Sequence, residues 1–233
     1  GLGIDSTTIT TYDSSPSYYV DYVKKFGATN LSVPLTLSWA SDGKDSYFFP
    51  TRGTYQKASL EVALPGGDLT YYRASYQLQH FIPLNSRFTL MLNGEVGYAE
   101  GYGDSGLPFF KNFYAGGIGS VRGYKASSLG PITRDTTTGT DYRIGGNSRV
   151  IGNAELLWGI PGMEKSFRMG WFFDAGQVYG NDGNDSSSGL RYSTGISASW
   201  ISPIGPLKFS FGRPLNKQEN DKSESFQFQM GTT

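Results

Sequence analysis

Residues 31–39 read LSVPLTLSW, and every second residue in this stretch is a large apolar one. Serine, proline and threonine occupy the positions between them. A period of two residues is typical of a β-strand with one apolar and one polar face. The stretch therefore predicts a strand whose two faces meet different surroundings.

The same alternation recurs along the chain, and the charged residues keep to the polar face. Glu155 lies opposite the apolar residues of its segment, and Arg168 and Asp174 do so in the next one. With a weaker first strand around residues 2–10, we count about ten strands.

The composition also fits a sheet with two different faces. The 233 residues include 32 glycines, 15% aromatic and only 37% hydrophobic residues, an unusual mixture for a packed soluble core. We predict one antiparallel all-β domain over residues 1–233.

The composition argues against several classes of function. Lys and Arg balance Asp and Glu at 20 each, so no overall field favours nucleic acid as a partner. The chain has no Cys and one His, and no arrangement of nucleophile, base and orienting group is visible. We expect no enzymatic activity, no catalytic residue, no metal and no cofactor.

No segment approaches the ~20 apolar residues of a membrane-spanning helix, and the start, GLGIDSTTIT, lacks the features of a signal peptide.

The connections between the predicted strands alternate in kind. Short turns with proline are expected at 49–53, 82–86, 160–166 and 202–206, and longer polar links at 66–68, 99–145, 181–188 and 214–223. Short turns on one side and long loops on the other are typical of outer-membrane barrels. Apolar residues at helical spacing within 16–26 predict a short amphipathic helix in the first long loop.

Periodicity alone does not distinguish a membrane barrel from a soluble barrel with the opposite orientation of its faces. Aromatic residues cluster near the strand ends, where girdles at the two membrane interfaces would lie; examples are Tyr47, Phe48, Tyr71, Trp158 and Trp200. The polar face also carries about eight charged groups in mid-strand, which suits a hydrated lumen better than a dry core. We therefore predict an antiparallel, transmembrane, up-and-down β-barrel with a long extracellular loop, residues 99–145, after the fifth strand.

That loop contains PFFKNFYAGGIGSVRGYKASSLGP, residues 108–131. The segment resembles the BamA family, whose sixth extracellular loop carries a VRG(F/Y) motif, and Val121, Arg122, Gly123 and Tyr124 match that motif. The YFFPTRG turn, the SPIGPL turn and the closing FQFQMG follow in the order that the family shows. The resemblance covers essentially all of the chain.

The resemblance implies a barrel that helps other β-barrel proteins to fold and insert into the bacterial outer membrane, without nucleotide hydrolysis. Its partners would be unfolded β-barrel clients, the lipid bilayer and accessory lipoproteins bound through POTRA domains. The loop is expected to enter the lumen, where Arg122 would pair with Glu155 and Asp174, and Phe172 matches the position expected beside that arginine. An alternative is that Arg122 only anchors a plug loop and has no part in insertion.

The closing segment resembles the β-signal by which assembly machines recognise outer-membrane strands, with Phe226, Phe228 and Gly231 at the matching positions. The signal normally ends in an aromatic residue, whereas this chain ends at Thr233. The family also has POTRA domains and sixteen strands, so the chain resembles the carboxy-terminal part of such a barrel. We expect it to close on itself, with the strand near Ile4 paired to the strand near Phe228, or to pair these edges between molecules.

Three other functions stay open from the sequence. The related two-partner secretion pores share the fold and a similar loop motif, and would export a polypeptide through the lumen. A passive porin would need an open polar lumen. A soluble ligand-binding barrel would stay in solution without detergent.

Overall fold

A computed structural model describes residues 1–12, 15–103, 106–135, 138–180 and 189–231. The main element of the fold is one antiparallel sheet of ten strands, in the order β1-β2-β3-β4-β5-β9-β10-β11-β12-β14. The strands of this sheet are β1 (Asp5–Thr8), β2 (Thr29–Asp42), β3 (Gly53–Leu64), β4 (Tyr71–Pro83), β5 (Phe88–Gly101), β9 (Ser148–Gly159), β10 (Phe167–Tyr179), β11 (Arg191–Ser202), β12 (Gly205–Pro214) and β14 (Phe226–Met230). The predicted link at 181–188 and the terminal Thr233 lie outside the described residues.

The remaining elements lie in the connections. They are the helix α1 (Ser17–Phe26), a 3-10 helix (Phe109–Lys111) and the short strands β6 (Gly123–Tyr124), β7 (Ile132–Arg134), β8 (Asp141–Arg143) and β13 (Ser223–Glu224). The ten predicted strands and the predicted helix are confirmed. The four short strands were not predicted, because two or three residues are too few to show a period.

The polarity of the two faces of the sheet is the reverse of that in a soluble protein, where the buried face is apolar and the exposed face polar. The apolar face is exposed: Trp39 is 54% exposed, Trp171 53% and Ile196 52%. The polar face, which we call the lumen face, carries buried polar and charged side chains. They include Asn30, Ser32, Thr89, Glu155, Arg168, Asp174, Ser193, Ser210 and Gln227. An apolar exterior and a polar interior are the arrangement of a transmembrane β-barrel, so the predicted fold class is confirmed.

The connections show the predicted asymmetry only in part. On one side β4 and β5, β9 and β10, and β11 and β12 are joined by links of two to seven residues, but the link between β2 and β3 has ten, residues 43–52. The link between β3 and β4, predicted to be one of the longer ones, has only six, residues 65–70. On the other side lie the link with α1 and the connection between β5 and β9, which we call the long connection. Because β5 continues to Gly101 and β9 begins at Ser148, the long connection comprises residues 102–147 rather than 99–145.

Helix α1 follows from its local sequence. Pro16 precedes it with φ −53°, and Gly27 ends it at φ +87°, where its N–H donates to the Val23 carbonyl at 2.9 Å. Lys24 and Lys25 occupy the last turn, where positive charge is favourable. The apolar side of the helix carries Tyr22, which packs against the long connection.

The long connection packs against the lumen face, and the buried core lies between them. Its residues Ala115, Val121, Tyr124 and Leu129 form one apolar cluster with Ile151 of β9 and Val178 of β10. The lumen face of the sheet is therefore covered by the long connection.

Two expectations were wrong. Tyr71, counted among the girdle aromatics, is fully buried on the lumen face, where its hydroxyl donates to Glu61 Oε1 at 2.5 Å. The strand near Ile4 does not pair with the strand near Phe228, since β1 and β14 are the two edges of the sheet. The long connection lies on the lumen face, from Glu61 on β3, which binds Lys111, to Gln227 on β14, which binds Tyr124. A barrel closed by these ten strands alone would have to enclose that connection as well.

Candidate functional site

The candidate site is where the motif segment, residues 121–124, meets the lumen face of strands β9 and β10. The register pairs Glu155 of β9 with Phe172 of β10, and Asp174 lies two residues further along β10. Side chains two residues apart in a strand share a face, and diagonal neighbours across a pair of strands are within reach of one another. The strands therefore present two carboxylates and one aromatic ring together.

Arg122 binds both carboxylates through its whole guanidinium group. Its Nε donates to Asp174 Oδ2 and its Nη2 to Asp174 Oδ1, each at 2.8 Å, and its Nη1 donates to Glu155 Oε2 at 2.8 Å. The Arg122 backbone N–H also donates to Asp174 Oδ2, at 3.0 Å. Two parallel hydrogen bonds to one carboxylate fix the orientation of an arginine as well as its position.

The remaining face of the guanidinium lies over the ring of Phe172, with Cζ 3.7 Å from the ring centroid. A cation over the face of an aromatic ring is attracted by the ring quadrupole. Arg122 is thus held at its edge by carboxylates and across its plane by an aromatic ring.

Arg122 and its two carboxylate partners are shielded from solvent. Arg122 is 8% exposed, Glu155 7% and Asp174 0%. Burial alone would lower the pKa of the Arg122 guanidinium, but the hydrogen bonds and negative charges of Asp174 and Glu155 raise this pKa above its ordinary value. Arg122 is therefore a permanent cation whose removal would leave two buried carboxylates without their partner.

Gly123 allows the motif segment to approach the sheet closely. Its φ of +86° is a conformation that favours glycine, and a Cβ atom there would lie 3.0 Å from the carbonyl carbon of Gly212 on β12. A Cβ on Gly212 would lie 2.8 Å from the Gly123 nitrogen. The two backbones touch at this point, so neither position has room for a side chain.

Val121 and Tyr124 complete the motif segment by packing. Both are fully buried in the apolar cluster. The Tyr124 hydroxyl reaches Tyr192 O and Asn216 Oδ1, each at 3.4 Å. All four motif residues are thus in contact with the interior of the sheet.

The three β-signal residues lie apart from this site. Phe226 and Phe228 are 54% and 50% exposed on the outer face of β14. Gly231 follows the strand at φ +99°, and its N–H donates to the Pro206 carbonyl at 2.9 Å. The structure brings Glu155, Phe172 and Asp174 to Arg122, but it does not bring the β-signal aromatics there.

Two further residues of the site were not singled out from the sequence. Ser197 of β11 donates from its hydroxyl to Glu155 Oε1 and holds the carboxylate from the side opposite Arg122. Gln227 of β14 donates from Nε2 to the Tyr124 carbonyl at 2.7 Å. Both lie on the polar side of the alternation, but Ser and Gln are common there, and nothing in their local sequence marks them.

The described residues were also searched for other kinds of site. They contain no group of three or more His, Asp or Glu side chains placed to hold a metal ion. No helix within the described ranges is long and apolar enough to span a bilayer.

Comparison with known proteins places this chain in a family. The model of the Omp85 superfamily domain matches residues 1–233. BamA of Neisseria meningitidis, an outer membrane protein assembly factor, is 40% identical over all of this chain and 34% of its own length. A SAM50-like protein of Drosophila melanogaster is 25% identical over 99% of this chain and 53% of its own length.

The fold is also similar to a solved structure. The crystal structure of BamA from Haemophilus ducreyi lacking POTRA domains 1–3 matches with a TM-score of 0.85 and 26% identity, over 97% of this chain and 49% of that one. The chain thus spans about a quarter to a half of the length of the relatives that it matches. The resemblance to the BamA family is confirmed over the whole chain, and this chain belongs to the Omp85 superfamily.

Proposed function

We propose that this chain is the carboxy-terminal part of a barrel in the bacterial outer membrane that helps other β-barrel proteins to fold and insert. The observation that carries the proposal is its similarity, over its whole length, to a protein named as an outer membrane protein assembly factor. The exposed apolar face supports placement in a bilayer. The action is non-enzymatic: it needs no nucleotide and no chemical step.

The physical task of such a barrel is to lower the barrier to inserting a strand. An unpaired backbone N–H or C=O in hydrocarbon costs several kcal/mol, so a client strand enters more easily when its hydrogen bonds form as it enters. Strand β14 lies at an edge of this sheet and can offer such bonds. The clients are unfolded outer-membrane β-barrel proteins, and accessory lipoproteins act through the POTRA domains of the family.

Within this role, the motif segment has the function of fixing the long connection in the lumen through Arg122, Asp174 and Glu155. Loss of the guanidinium would leave two buried carboxylates unpaired, at a cost of about 3 to 5 kcal/mol. The long connection would then leave its position, and insertion would slow. If Arg122 only anchors a plug, insertion would continue unchanged after its removal.

The test is the folding rate of an outer-membrane β-barrel client in liposomes that contain the protein. Liposomes with the unmodified protein should accelerate folding relative to empty liposomes, and Arg122→Ala should abolish the acceleration. Arg134→Ala is the matched control, since Arg134 is an exposed arginine of the same connection. Equal rates with the unmodified protein and with empty liposomes would contradict the proposed function, and full activity of Arg122→Ala would contradict the role of the motif.

The same liposomes distinguish the alternative of a two-partner secretion pore. Such a pore moves a polypeptide to the far side of the membrane, whereas an assembly barrel leaves its client folded within it. Protease added outside the liposomes should leave the membrane-embedded part of the client intact, as expected for assembly. Release of the whole client into the opposite compartment would favour the pore.

A further inference from the structure

The last strand of the sheet carries one residue that binds the main chain of the motif segment. Gln227 faces the lumen between the outward residues Phe226 and Phe228, and it is 6% exposed. Its Nε2 donates to the Tyr124 carbonyl at 2.7 Å, and its Oε1 accepts from the Gly123 N–H at 3.4 Å. A single amide thus satisfies one acceptor and one donor of the motif backbone.

The segment that leads into β14 is tied to the same place. β13 pairs antiparallel with β6, with Ser223 opposite Tyr124 and Glu224 opposite Gly123. The Lys125 N–H donates to the Lys222 carbonyl at 2.9 Å. The motif segment therefore binds both the terminal strand and the chain immediately before it.

Strand β14 has few other attachments in the described part of the chain. It has 5 residues and pairs with β12 alone, from Phe211↔Phe226 to Leu207↔Met230. Its outer side chains point toward the bilayer, with Met230 61% exposed. On the lumen side, β14 is held mainly by the hydrogen bonds of Gln227 to the motif segment.

We propose that Gln227 is a positioning residue that couples the binding of Arg122 to the placement of the terminal strand. While Arg122 is bound to Asp174 and Glu155, the motif backbone holds Gln227 and thereby β14. When the motif segment leaves its position, β14 loses these bonds and is free to change its pairing. This proposal rests on the proposed function in one respect, that β14 is the strand that meets the client. The coupling between Arg122 and β14 does not depend on the proposed function.

The first test is amide hydrogen exchange of the protein in liposomes, read by mass spectrometry of the peptides that contain β14. Gln227→Leu removes both hydrogen bonds at nearly constant volume, and exchange in residues 223–230 should rise by about tenfold, as expected when a buried hydrogen-bonded pair is lost. Exchange in β9 and β10 should not change.

Gln229→Leu is the matched control. Gln229 lies on the same strand and the same face, but the structure gives its side chain no hydrogen bond to the motif segment. It should leave exchange in 223–230 near the original value. If Gln227→Leu folds poorly, Gln227→Asn serves in its place, since it keeps the amide but is too short to reach the Tyr124 carbonyl.

The coupling itself is tested by combining substitutions. Arg122→Lys should also raise exchange in β14, although the side-chain partners of Arg122 lie on β9 and β10. In the double variant with Gln227→Leu, the increases should combine to less than their product, because both act through the motif segment. A purely local structural role of Gln227 would give independent, multiplying effects.

Several results would overturn the proposal: no rise in Gln227→Leu, an equal rise in Gln229→Leu, a rise spread evenly over the sheet, or multiplying effects in the double variant. Exchange reports the coupling even if the protein fails to accelerate client folding. Failure of the proposed function and failure of this inference are therefore separate outcomes.

Discussion

At the scale of single residues, Arg122 does what lysine cannot. Its three donor nitrogens reach two carboxylates while its plane lies on Phe172. A lysine ammonium is a compact charge that cannot bind both oxygens of Asp174 in a fixed plane. The geometry, rather than the charge alone, holds the motif segment in position.

Arg122→Lys separates these two contributions. It keeps the cation but loses the bidentate bond, so the free energy of unfolding in urea should fall by about 1.5 to 3 kcal/mol. Client folding should slow, but less than in Arg122→Ala. Lys125→Ala, an exposed cation three residues away, is the control for a general loss of charge. Equal unfolding midpoints for Arg122→Lys and the unmodified protein would show that charge suffices.

The sequence identifies part of this site because side chains alternate along a strand. Glu155, Phe172 and Asp174 fall on the polar side of β9 and β10, so their common face follows from counting residues. Gln227 falls on the same side of β14, but its partners are main-chain atoms of a loop whose path has no period. The buried pair Arg191 and Asp221, whose Nε and Oδ2 lie 2.6 Å apart, also depends on such a path.

At the scale of elements, α1 and the 3-10 helix of the long connection form an aromatic cluster. Phe109 contacts Tyr19 and Tyr22, with ring centroids 4.8 Å and 5.0 Å apart. The Ser17 N–H donates to Asp135 Oδ2 at 2.9 Å, further along the same connection. The first loop and the long connection therefore support one another away from Arg122.

Phe109→Ala should loosen α1 without moving the motif segment. Loss of the ring contacts, about 0.5 to 1.5 kcal/mol for each aromatic pair beyond area burial, should speed trypsin cleavage at Lys24 and Lys25 several-fold. Client folding should stay near the original rate. Phe48→Ala, which removes an exposed ring in another connection, should leave cleavage unchanged. Unchanged cleavage in Phe109→Ala would show that α1 is held by other contacts.

The elements differ in how well the sequence predicts them. Long strands such as β5 and the helix α1 show several repeats of their period, and their positions were predicted. The pairing of β6 with β13 joins two segments about a hundred residues apart, and each has only two residues. Such a pairing is decided by how the long connection packs, not by local propensity.

At the scale of the whole molecule, the exposed apolar face predicts where charge is tolerated. Leu78 and Gln79 are neighbours in the middle of β4, one on the outer face and one on the lumen face. Leu78→Arg places a charge in the hydrocarbon and should destabilise the protein in liposomes by about 2 to 4 kcal/mol, whereas Gln79→Arg should be nearly neutral. Urea unfolding of both variants measures the difference, and an equal loss in both would contradict the assignment of the faces.

The sheet as a whole has β1 and β14 at its edges, and closure of the chain on itself was the expectation that failed. Unpaired edges in lipid favour closure of the sheet. The long connection, whose contacts reach from Glu61 on β3 to Gln227 on β14, also needs room on the lumen face, and its path cannot be read from local sequence.

If β14 receives the client strand, the two strands lie side by side during insertion, and a disulfide cross-link between them can trap that contact. Because the chain has no cysteine, Phe228→Cys on β14 and Trp171→Cys in mid-sheet on β10 each introduce a single thiol on the outer face. A client with one cysteine in its last strand should form a disulfide with the protein carrying Phe228→Cys and not with the one carrying Trp171→Cys. Equal cross-linking at both positions, or none at 228 while folding is still accelerated, would contradict the account.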